Sequence, residues 1–210
     1  MAQYNIIAEN ENYTIVSDYQ AVYRTSEKYQ TEAQLEQELI KNLTEQGYEY
    51  LAIHTEKDLV DNLRVQLQRL NDYTFTDSEW ERFFNDVIAN QNEGIEAKTA
   101  KIQEDHIQVL KRDTGETKNI YLIDKRNIHN NYLQVINQYE EEQGNHDARY
   151  DVSILVNGLP LVHIELKRRG VQLKEAFNQI DRYQRDSFWA GSGLYEYVQI
   201  FVISNGTNTK

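Results

Sequence analysis

The spacing of hydrophobic residues changes along this chain from a helical period to an alternating one. Leucines at Leu35, Leu39 and Leu43 recur every fourth position before Gly47, which predicts an amphipathic helix with a glycine at its end. A capping-box pattern over residues 76–79 marks the start of a later helix. The helices predicted in the first half of the chain span residues 31–46, 58–70, 80–89 and 94–105.

Elsewhere apolar residues alternate with polar ones or form short apolar runs, which is typical of β-strands. One more helix, over residues 173–186, interrupts the strands of the second half. Helices that alternate with strands predict an α/β fold with a mixed central β-sheet flanked by helices. The predicted strands span residues 13–16, 21–23, 48–53, 107–110, 120–123, 132–139, 151–156, 161–167 and 197–203.

Two of these strands flank Asn157-Gly158 and should form a hairpin. A two-residue turn there would mix the apolar face of one strand with the polar face of the other. A three-residue loop over 157–159, with glycine supplying a positive φ, instead places all the apolar residues on one face. We therefore expect Val156 to pair with Pro160, Ile154 with Val162, Val152 with Ile164, and Asp151 with Glu165.

The expected register sets the carboxylates of Asp151 and Glu165 opposite each other, with Cβ atoms about 5 Å apart, where like charges destabilise a sheet. A divalent cation such as Mg²⁺ would offset this repulsion, because it prefers hard oxygen ligands. Lys167 lies on the same face and can orient an attacking water or balance charge on a phosphoryl group. The alternative is a solvated polar face on an edge hairpin, although strands this apolar should be central.

The helix over residues 173–186 places Gln179 and Tyr183 four positions apart, on one face. Tyr183 also continues an apolar stripe that any helix facing a core would show. The pair can therefore belong to a site, or Tyr183 can have a packing role alone. The stripe comprises Leu173, Ala176, Phe177 and Ile180.

Taken together, these motifs resemble the PD-(D/E)XK nuclease superfamily: Asp151, then Glu165-Leu166-Lys167, then a helix with Gln-x-x-x-Tyr. Over residues 31–209 the chain looks like the amino-terminal nuclease domain of the R (motor) subunit of type I restriction endonucleases. One departure is Tyr150, which stands where the superfamily pattern has proline. We expect that position to turn the chain rather than to take part in chemistry.

The resemblance implies roles for particular residues. Asp151 and Glu165, with the backbone carbonyl of Leu166, would hold Mg²⁺, and Lys167 would be the catalytic lysine. Gln179 and Tyr183 would contact DNA and support the site.

Glu36 is a further candidate ligand on the first helix. The helical period turns its side chain inward between Leu39, Ile40 and Leu43, where a carboxylate needs a partner. Its spacing to Gly47-Tyr48 resembles that of the first-helix glutamate which approaches the metal in resolvase-like members of the superfamily. Glu32 and Glu38 lie near the edges of the same arc and are expected to be solvated.

The composition of the chain limits its possible domain organisation, metal sites and cellular location. With 210 residues, of which 40% are hydrophobic, the chain can bury one core, and we expect a single domain with a helical insertion over residues 57–105. The chain has no cysteine, which excludes disulfides and thiolate metal sites. Its five histidines fall at no metal-ligand spacing and are expected to be structural or surface residues. Without a long apolar run or a secretory pattern, we expect a cytoplasmic protein with no membrane partner.

The net charge of −12 disfavours strong independent binding to DNA, because lysine and arginine contacts to phosphate supply most of the affinity. Basic residues nevertheless cluster around the predicted site. Arg168 and Arg182 are candidates for contacts with DNA, although arginines on a helix are often ordinary surface residues. The cluster comprises Lys167, Arg168, Arg169, Lys174, Arg182 and Arg185.

The leading interpretation is a Mg²⁺-dependent endonuclease module that hydrolyses DNA phosphodiester bonds in a type I restriction enzyme. The resemblance implies methyltransferase and specificity subunits as partners, double-stranded DNA as substrate, and an ATP-driven motor beyond Lys210 in a larger protein. Two alternatives stay open: another nuclease of the superfamily, from repair or type III restriction, and a non-catalytic interaction domain on the same fold.

Overall fold

The computed structural model describes residues 5–9, 14–17, 30–141, 144 and 148–210. The described helices are α1 (Glu32–Glu45), α2 (Glu56–Asn71), α3 (Asp77–Phe83), α4 (Ile95–Gln103) and α5 (Leu173–Asp186). The described strands are β1 (Asn5–Glu9), β2 (Thr14–Ser17), β3 (Glu49–Tyr50), β4 (Ile107–Lys111), β5 (Thr117–Tyr121), β6 (Leu133–Glu141), β7 (Ala148–Val156), β8 (Leu159–Leu166) and β9 (Ile200–Ser204).

A five-stranded sheet in the order β3-β6-β7-β8-β9 forms the centre of the fold. Its outer pairs, β3 with β6 and β8 with β9, are parallel, whereas β6, β7 and β8 pair antiparallel. The α/β class with a mixed sheet is thus confirmed. The hairpin of β7 and β8 lies inside the sheet, as its apolar composition predicts.

The turn of this hairpin differs from the predicted one. Asn157 and Gly158 form a two-residue turn, with φ of 52° and 84°, the positive values that a type I′ turn requires. The expected pairing of Val156 with Pro160 is therefore wrong, because Val156 pairs with Leu159.

A β-bulge at Leu161 then adds one residue to β8 and shifts the register. Ile154 pairs with Val162 and Val152 with Ile164, so these two predicted pairs are confirmed. A short turn and a register that keeps the apolar residues together coexist because the bulge absorbs the mismatch.

Both faces of the sheet are covered, since successive residues of a strand point to opposite faces. On one face, Val152 and Ile164 pack with Leu35 and Leu43 of α1. On the other, Leu155 joins a larger core that includes side chains from α2, α3 and α4. The helices between residues 56 and 103 thus share their core with the sheet.

Helix α5 covers the same face as the larger core, and Ala176 and Ile180 pack against Ile203 of β9. The bounds of α5 match the prediction. Phe177, however, is 61% exposed, so its assignment to the buried stripe is wrong. The side chain of Leu173 lies outside the described residues.

Several other boundaries differ from the sequence prediction. A π-helical turn, Phe84–Ile88, follows α3 where one continuous helix was expected. Strand β3 has two residues, and a 3₁₀ turn, Leu194–Tyr197, occupies the start of the last predicted strand. The strand predicted over residues 21–23 lies outside the described residues. Within the described part of the chain, no helix has the length and apolar character needed to cross a membrane.

Gly158 offers a test of the hairpin. A Cβ atom there would lie 2.6 Å from Cα of Leu63 on α2, in addition to the strain of a φ of 84°. We expect Gly158→Ala to lower the free energy of unfolding by about 3 kcal/mol or more, through strain and overpacking. Thermal denaturation measures the effect.

Gly115→Ala is the matched control, because Gly115 has a φ of 87° and no neighbouring atom lies within 4 Å of the position that an added methyl group would take. Strain alone should lower its stability by about 1–2 kcal/mol. Equal losses in the two variants would contradict the close approach of the hairpin to α2.

Candidate active site

The end of the hairpin brings Asp151 of β7 next to Glu165 and Leu166 of β8. The paired register ends at Val152 and Ile164, and Asp151 and Glu165 are the next residues along the two strands. The two carboxyl groups lie within hydrogen-bonding reach of each other. The backbone N–H of Leu166 also donates to Oδ2 of Asp151 over 2.8 Å. The convergence of these groups therefore follows from strand pairing.

Lys167 completes the cluster. Its Nζ donates to Oε1 of Glu165 over 3.0 Å, and the Glu165 side chain has no exposed surface. The other carboxylate oxygen of Glu165, Oε2, has no hydrogen-bond partner among the described residues. One lysine thus lies beside a buried and a partly buried carboxyl group.

Burial raises the pKa of both acids. Burial, and then the Glu165 carboxylate, raise the pKa of Asp151 to about 7. Burial raises the pKa of Glu165 as well, although the ammonium group of Lys167 opposes that shift. When both acids are ionised, the single ammonium group of Lys167 does not balance their two negative charges.

The donor set fits a hard divalent cation. Two facing carboxyl groups, one with an unpartnered buried oxygen, are ligands that such a cation prefers. Lys167 N–H donates to Ser204 of β9, so the N–H and carbonyl of Leu166 both point towards β7, on the side of Asp151. The described residues contain no cluster of three or more acidic or histidine side chains that could hold a metal. The candidate ligands are therefore Asp151, Glu165 and the Leu166 carbonyl.

Helix α5 contributes the predicted Gln179 and Tyr183 beside these strands. The side-chain amide of Gln179 donates to the Tyr183 hydroxyl, which donates to the carbonyl of Arg149 on β7 over 2.9 Å. Burial, and then the nearby Glu165, raise the pKa of Tyr183 to about 12. The pair ties α5 to the strand that carries Asp151, and Tyr183 is part of the core.

An open cleft of about 580 Å³ lies beside the acidic pair. Lys167, Gln179 and Arg182 line it, which brings three of the predicted residues to one surface. The cleft has a mixed charge, because it is also lined by Glu32, Glu175, Asn178, Asp181 and Arg185.

The two glutamates of α1 have the predicted burial. Glu36 is buried as expected, and its carboxylate accepts hydrogen bonds from the side-chain amides of Asn137 and Gln138 on β6. Glu32 is exposed as expected, and it also lines the cleft and accepts a hydrogen bond from the backbone N–H of Arg168 over 3.1 Å. Arg168 is exposed and is not among the described residues that line the cleft.

Tyr150 differs from its predicted role, whereas His163 is buried, as a structural histidine would be. Tyr150 lies within β7, is fully buried and donates from its hydroxyl to Oγ of Ser187 over 2.7 Å, so it does not turn the chain. His163 is also fully buried, with its Nε2 3.5 Å from Oε2 of Glu165. Burial lowers the pKa of His163 to about 4. Its place, two residues before Glu165 on the same face of β8, is the signal in the sequence that could have identified it.

A mixed sheet whose inner hairpin carries an acidic pair and a lysine is consistent with the restriction-endonuclease-like class of α/β domains. The chain belongs to the family described as the type I restriction enzyme R protein N terminus, which it matches over residues 29–210. The resemblance to the amino-terminal region of the R subunit of type I restriction enzymes is thereby confirmed.

Individual relatives agree with the family. The chain is 48% identical over 205 residues to the type I restriction enzyme EcoprrI endonuclease subunit of Escherichia coli, covering 97% of this chain and 65% of the relative. It is 40% identical over 187 residues to the SsaAORF53P endonuclease subunit of Staphylococcus saprophyticus, and 39% identical over 189 residues to the SauCOLORF180P endonuclease subunit of Staphylococcus aureus. The two staphylococcal matches cover 87% of this chain but 19% of each staphylococcal subunit.

The buried acidic pair predicts an unusual dependence of stability on pH. The pKa of Asp151 is higher in the folded chain than the ordinary value of 3.8, so the folded state binds protons more tightly and loses stability as pH rises from about 4 to about 7. Without metal, Asp151→Asn should therefore raise the free energy of unfolding by about 1–2 kcal/mol at pH 8 and by less at pH 5. Thermal melts in chelator at the two pH values measure the difference.

Added Mg²⁺ or Mn²⁺ should make the wild-type chain more stable than Asp151→Asn, because the cation stabilises the wild-type chain and not the variant. Asp61→Asn is the control, since Asp61 lies on the exposed surface of α2 and pairs with Lys57. A metal-free wild-type chain that becomes more stable relative to Asp151→Asn as pH rises would refute the assigned repulsion.

Proposed function

We propose that this chain is the Mg²⁺-dependent endonuclease module of a type I restriction-modification enzyme, which hydrolyses phosphodiester bonds of double-stranded DNA. The observation that carries the proposal is the pair of the partly buried Asp151 and the buried Glu165, with Lys167 at 3.0 Å from Glu165. Without a cation the two carboxylates repel each other, so the pair does not stabilise the sheet. Family membership supplies the biological setting.

A divalent cation held by Asp151, Glu165 and the Leu166 carbonyl would polarise the phosphodiester and make an attacking water more acidic. In the reaction a bond forms between the water oxygen and phosphorus, one ester P–O bond breaks, and the departing oxygen takes up a proton. The backbone N–H of Leu166 holds Asp151 in place throughout, at 2.8 Å.

Lys167 has the position needed to stabilise negative charge on the phosphoryl oxygens. It lines the cleft and contacts Glu165, so its ammonium group lies between the acidic pair and the space that DNA would enter. Preorganised positive charge at the place where negative charge develops lowers the barrier. We assign Lys167 the role of catalytic lysine.

DNA would approach through the cleft along α5, where Gln179 and Arg182 lie. Arg182 would contact phosphate, and Gln179 would contact DNA while holding Tyr183. Arg168 is exposed at the end of β8 and would reach the backbone of DNA outside the cleft. Glu36 is the weakest candidate ligand, because amides of Asn137 and Gln138 already occupy its carboxylate.

The charge of the chain bears on its dependence on partners. A net charge of −12 and a cleft of mixed sign give weak attraction for phosphate. We therefore propose that methyltransferase and specificity subunits, with an ATP-driven motor elsewhere in the R subunit, bring DNA to this site in the cytoplasm. The site contributes cleavage, and the rest of the enzyme contributes proximity.

The other interpretations have less support. Membership of the R-protein family favours type I restriction over repair or type III restriction. A non-catalytic interaction domain would gain nothing from two repelling carboxyl groups in its central sheet, and apolar residues there would be more stable.

Replacing Glu165 or Lys167 by alanine in the complete restriction complex should lower the rate of DNA cleavage by at least about 100-fold, through loss of a metal ligand or of the facing cation. ATP hydrolysis and translocation should persist, because the motor is a separate part of the protein. Conversion of circular DNA to nicked and linear forms measures cleavage.

The control for this experiment is Lys41→Ala. Lys41 is an exposed lysine of α1 whose partner is Glu45, and its removal should change neither activity. Loss of ATP hydrolysis together with cleavage in the Glu165 and Lys167 variants would indicate a structural role for the hairpin.

The isolated chain of 210 residues should bind duplex DNA weakly and cleave it poorly. If about three cations of the cleft region contact phosphate, affinity should fall roughly 40-fold between 50 and 200 mM salt. Arg182→Ala should lower the salt slope by about one unit, whereas Arg126→Ala, which changes an arginine outside the cleft, should not. Fluorescence anisotropy over a salt series measures the slope.

The same chain and the complete complex should also be compared for Mg²⁺-dependent nicking of circular DNA. Efficient, ATP-independent cutting by the chain alone would contradict its dependence on partners.

A further inference from the structure

His163 is a buried polar side chain that the proposed reaction does not yet use. It has no exposed surface, and neither ring nitrogen has a hydrogen-bond partner among the described residues. A buried polar atom without a partner destabilises a protein by about 1–3 kcal/mol. Its presence in the middle of the central sheet therefore needs an explanation other than packing.

Aromatic rings fix the orientation of the His163 ring. Five rings contact it at centroid distances between 5.4 and 6.5 Å, and all five lie nearly perpendicular to the imidazole plane. Edge-to-face packing of this kind holds a ring in one plane, and positive ring edges tolerate a nitrogen lone pair. The five rings belong to Tyr150, Tyr183, Phe188, Tyr195 and Phe201.

The orientation aims one nitrogen of the ring at Glu165. Nε2 of His163 lies 3.5 Å from Oε2 of Glu165, slightly beyond an ordinary hydrogen bond. Oε2 is itself buried and without a partner in the described part of the chain, whereas Oε1 accepts from Lys167. Two unpartnered buried atoms thus face each other, and a shift of a few tenths of an ångström would join them.

We infer that His163 is a positioning residue, whose Nε2–H donates to Oε2 of Glu165 and holds that carboxylate in one orientation beside Lys167. An ionised carboxylate only accepts hydrogen bonds, so Nε2 carries the proton and Nδ1 is the acceptor. The inference rests on the proposed function, because it takes Glu165 to act at the metal. Carboxylate ligands are commonly held by such outer hydrogen bonds, and removing them weakens metal binding by about 10- to 100-fold.

Three substitutions separate positioning from packing. His163→Gln retains an N–H donor at nearly the distance of Nε2 from the backbone. His163→Asn retains a polar amide, but its donor corresponds to Nδ1 and falls short of Glu165. His163→Phe fits a space walled by aromatic rings and has no donor. Glu165→Ala gives the metal affinity and the cleavage activity of a site that lacks this carboxylate.

Each variant is prepared as the full-length R subunit and assembled with its partners. Binding of Mn²⁺ to the subunit without nucleotide is measured by calorimetry, and the Mg²⁺ concentration for half-maximal cleavage is measured in the complex. ATP hydrolysis and thermal stability report whether each variant is folded. We expect the Asn and Phe variants to need about 10-fold more metal in both measurements, and the Gln variant to stay near wild type.

The outcomes distinguish this inference from the proposed function. If Glu165→Ala still cleaves DNA, the proposed function itself is wrong. If Glu165→Ala is inactive while the Phe variant binds Mn²⁺ and cleaves like the wild type, the positioning role is overturned and the proposed function stands. Equal metal requirements in the Gln and Asn variants would also overturn the positioning role, because any polar side chain at position 163 would then support metal binding.

A crystal structure of the wild-type subunit with Ca²⁺ provides a test that does not depend on folding of any variant. A distance of about 3.2 Å or less between Nε2 of His163 and Oε2 of Glu165 would support the hydrogen bond. A longer separation, with Oε2 bonded elsewhere, would refute it.

Discussion

The pairing of β7 with β8 places Asp151 beside Glu165, and the rest of the site depends on holding these two acids together. Glu165 is fully buried and Asp151 is partly buried, and burial raises the pKa of both groups. The described structure offsets the negative charge with one N–H donor, from Leu166, and one cation, Lys167.

The hairpin is held rigidly enough to maintain this geometry. Asn157, at its turn, is fully buried and donates to the carbonyl of Leu122 and to Asn131, while its Oδ1 accepts from the backbone of Tyr132. Gly158 lies against Leu63 of α2, where a side chain would collide. Both faces of the two strands are covered, so contacts away from the cleft determine the position of the acids. This is the preorganisation that electrostatic catalysis requires.

The surface beside the acids is less specialised than the interior. Acidic and basic side chains share the cleft, and the chain as a whole carries a charge of −12. A surface of mixed charge on a chain of net negative charge attracts phosphate weakly. Phe177 of α5 is 61% exposed.

The spacing of residues alone was enough to predict several elements of this fold and the candidate site. The helical period located α1, α2 and α5, because a helix that packs on a sheet must repeat its apolar residues every three or four positions. Alternation located β7 and β8, and the acids with Glu-x-Lys indicated the site, because strand partners near a turn are close in sequence as well as in space. The bounds of α5 agree with the prediction.

Only the tertiary structure decided what depends on distant elements. The bulge at Leu161 reconciles the short turn with the register, and no local pattern distinguishes it from a longer loop. Glu32 rather than Glu36 lines the cleft, and Glu36 instead meets Asn137 and Gln138 of β6, contacts that depend on how α1 packs on the sheet. His163 becomes a neighbour of Glu165 enclosed by aromatic rings through contacts from β7, α5 and β9. Periodicity records whether a side chain is buried, whereas the partners it meets there are set by how separate elements pack.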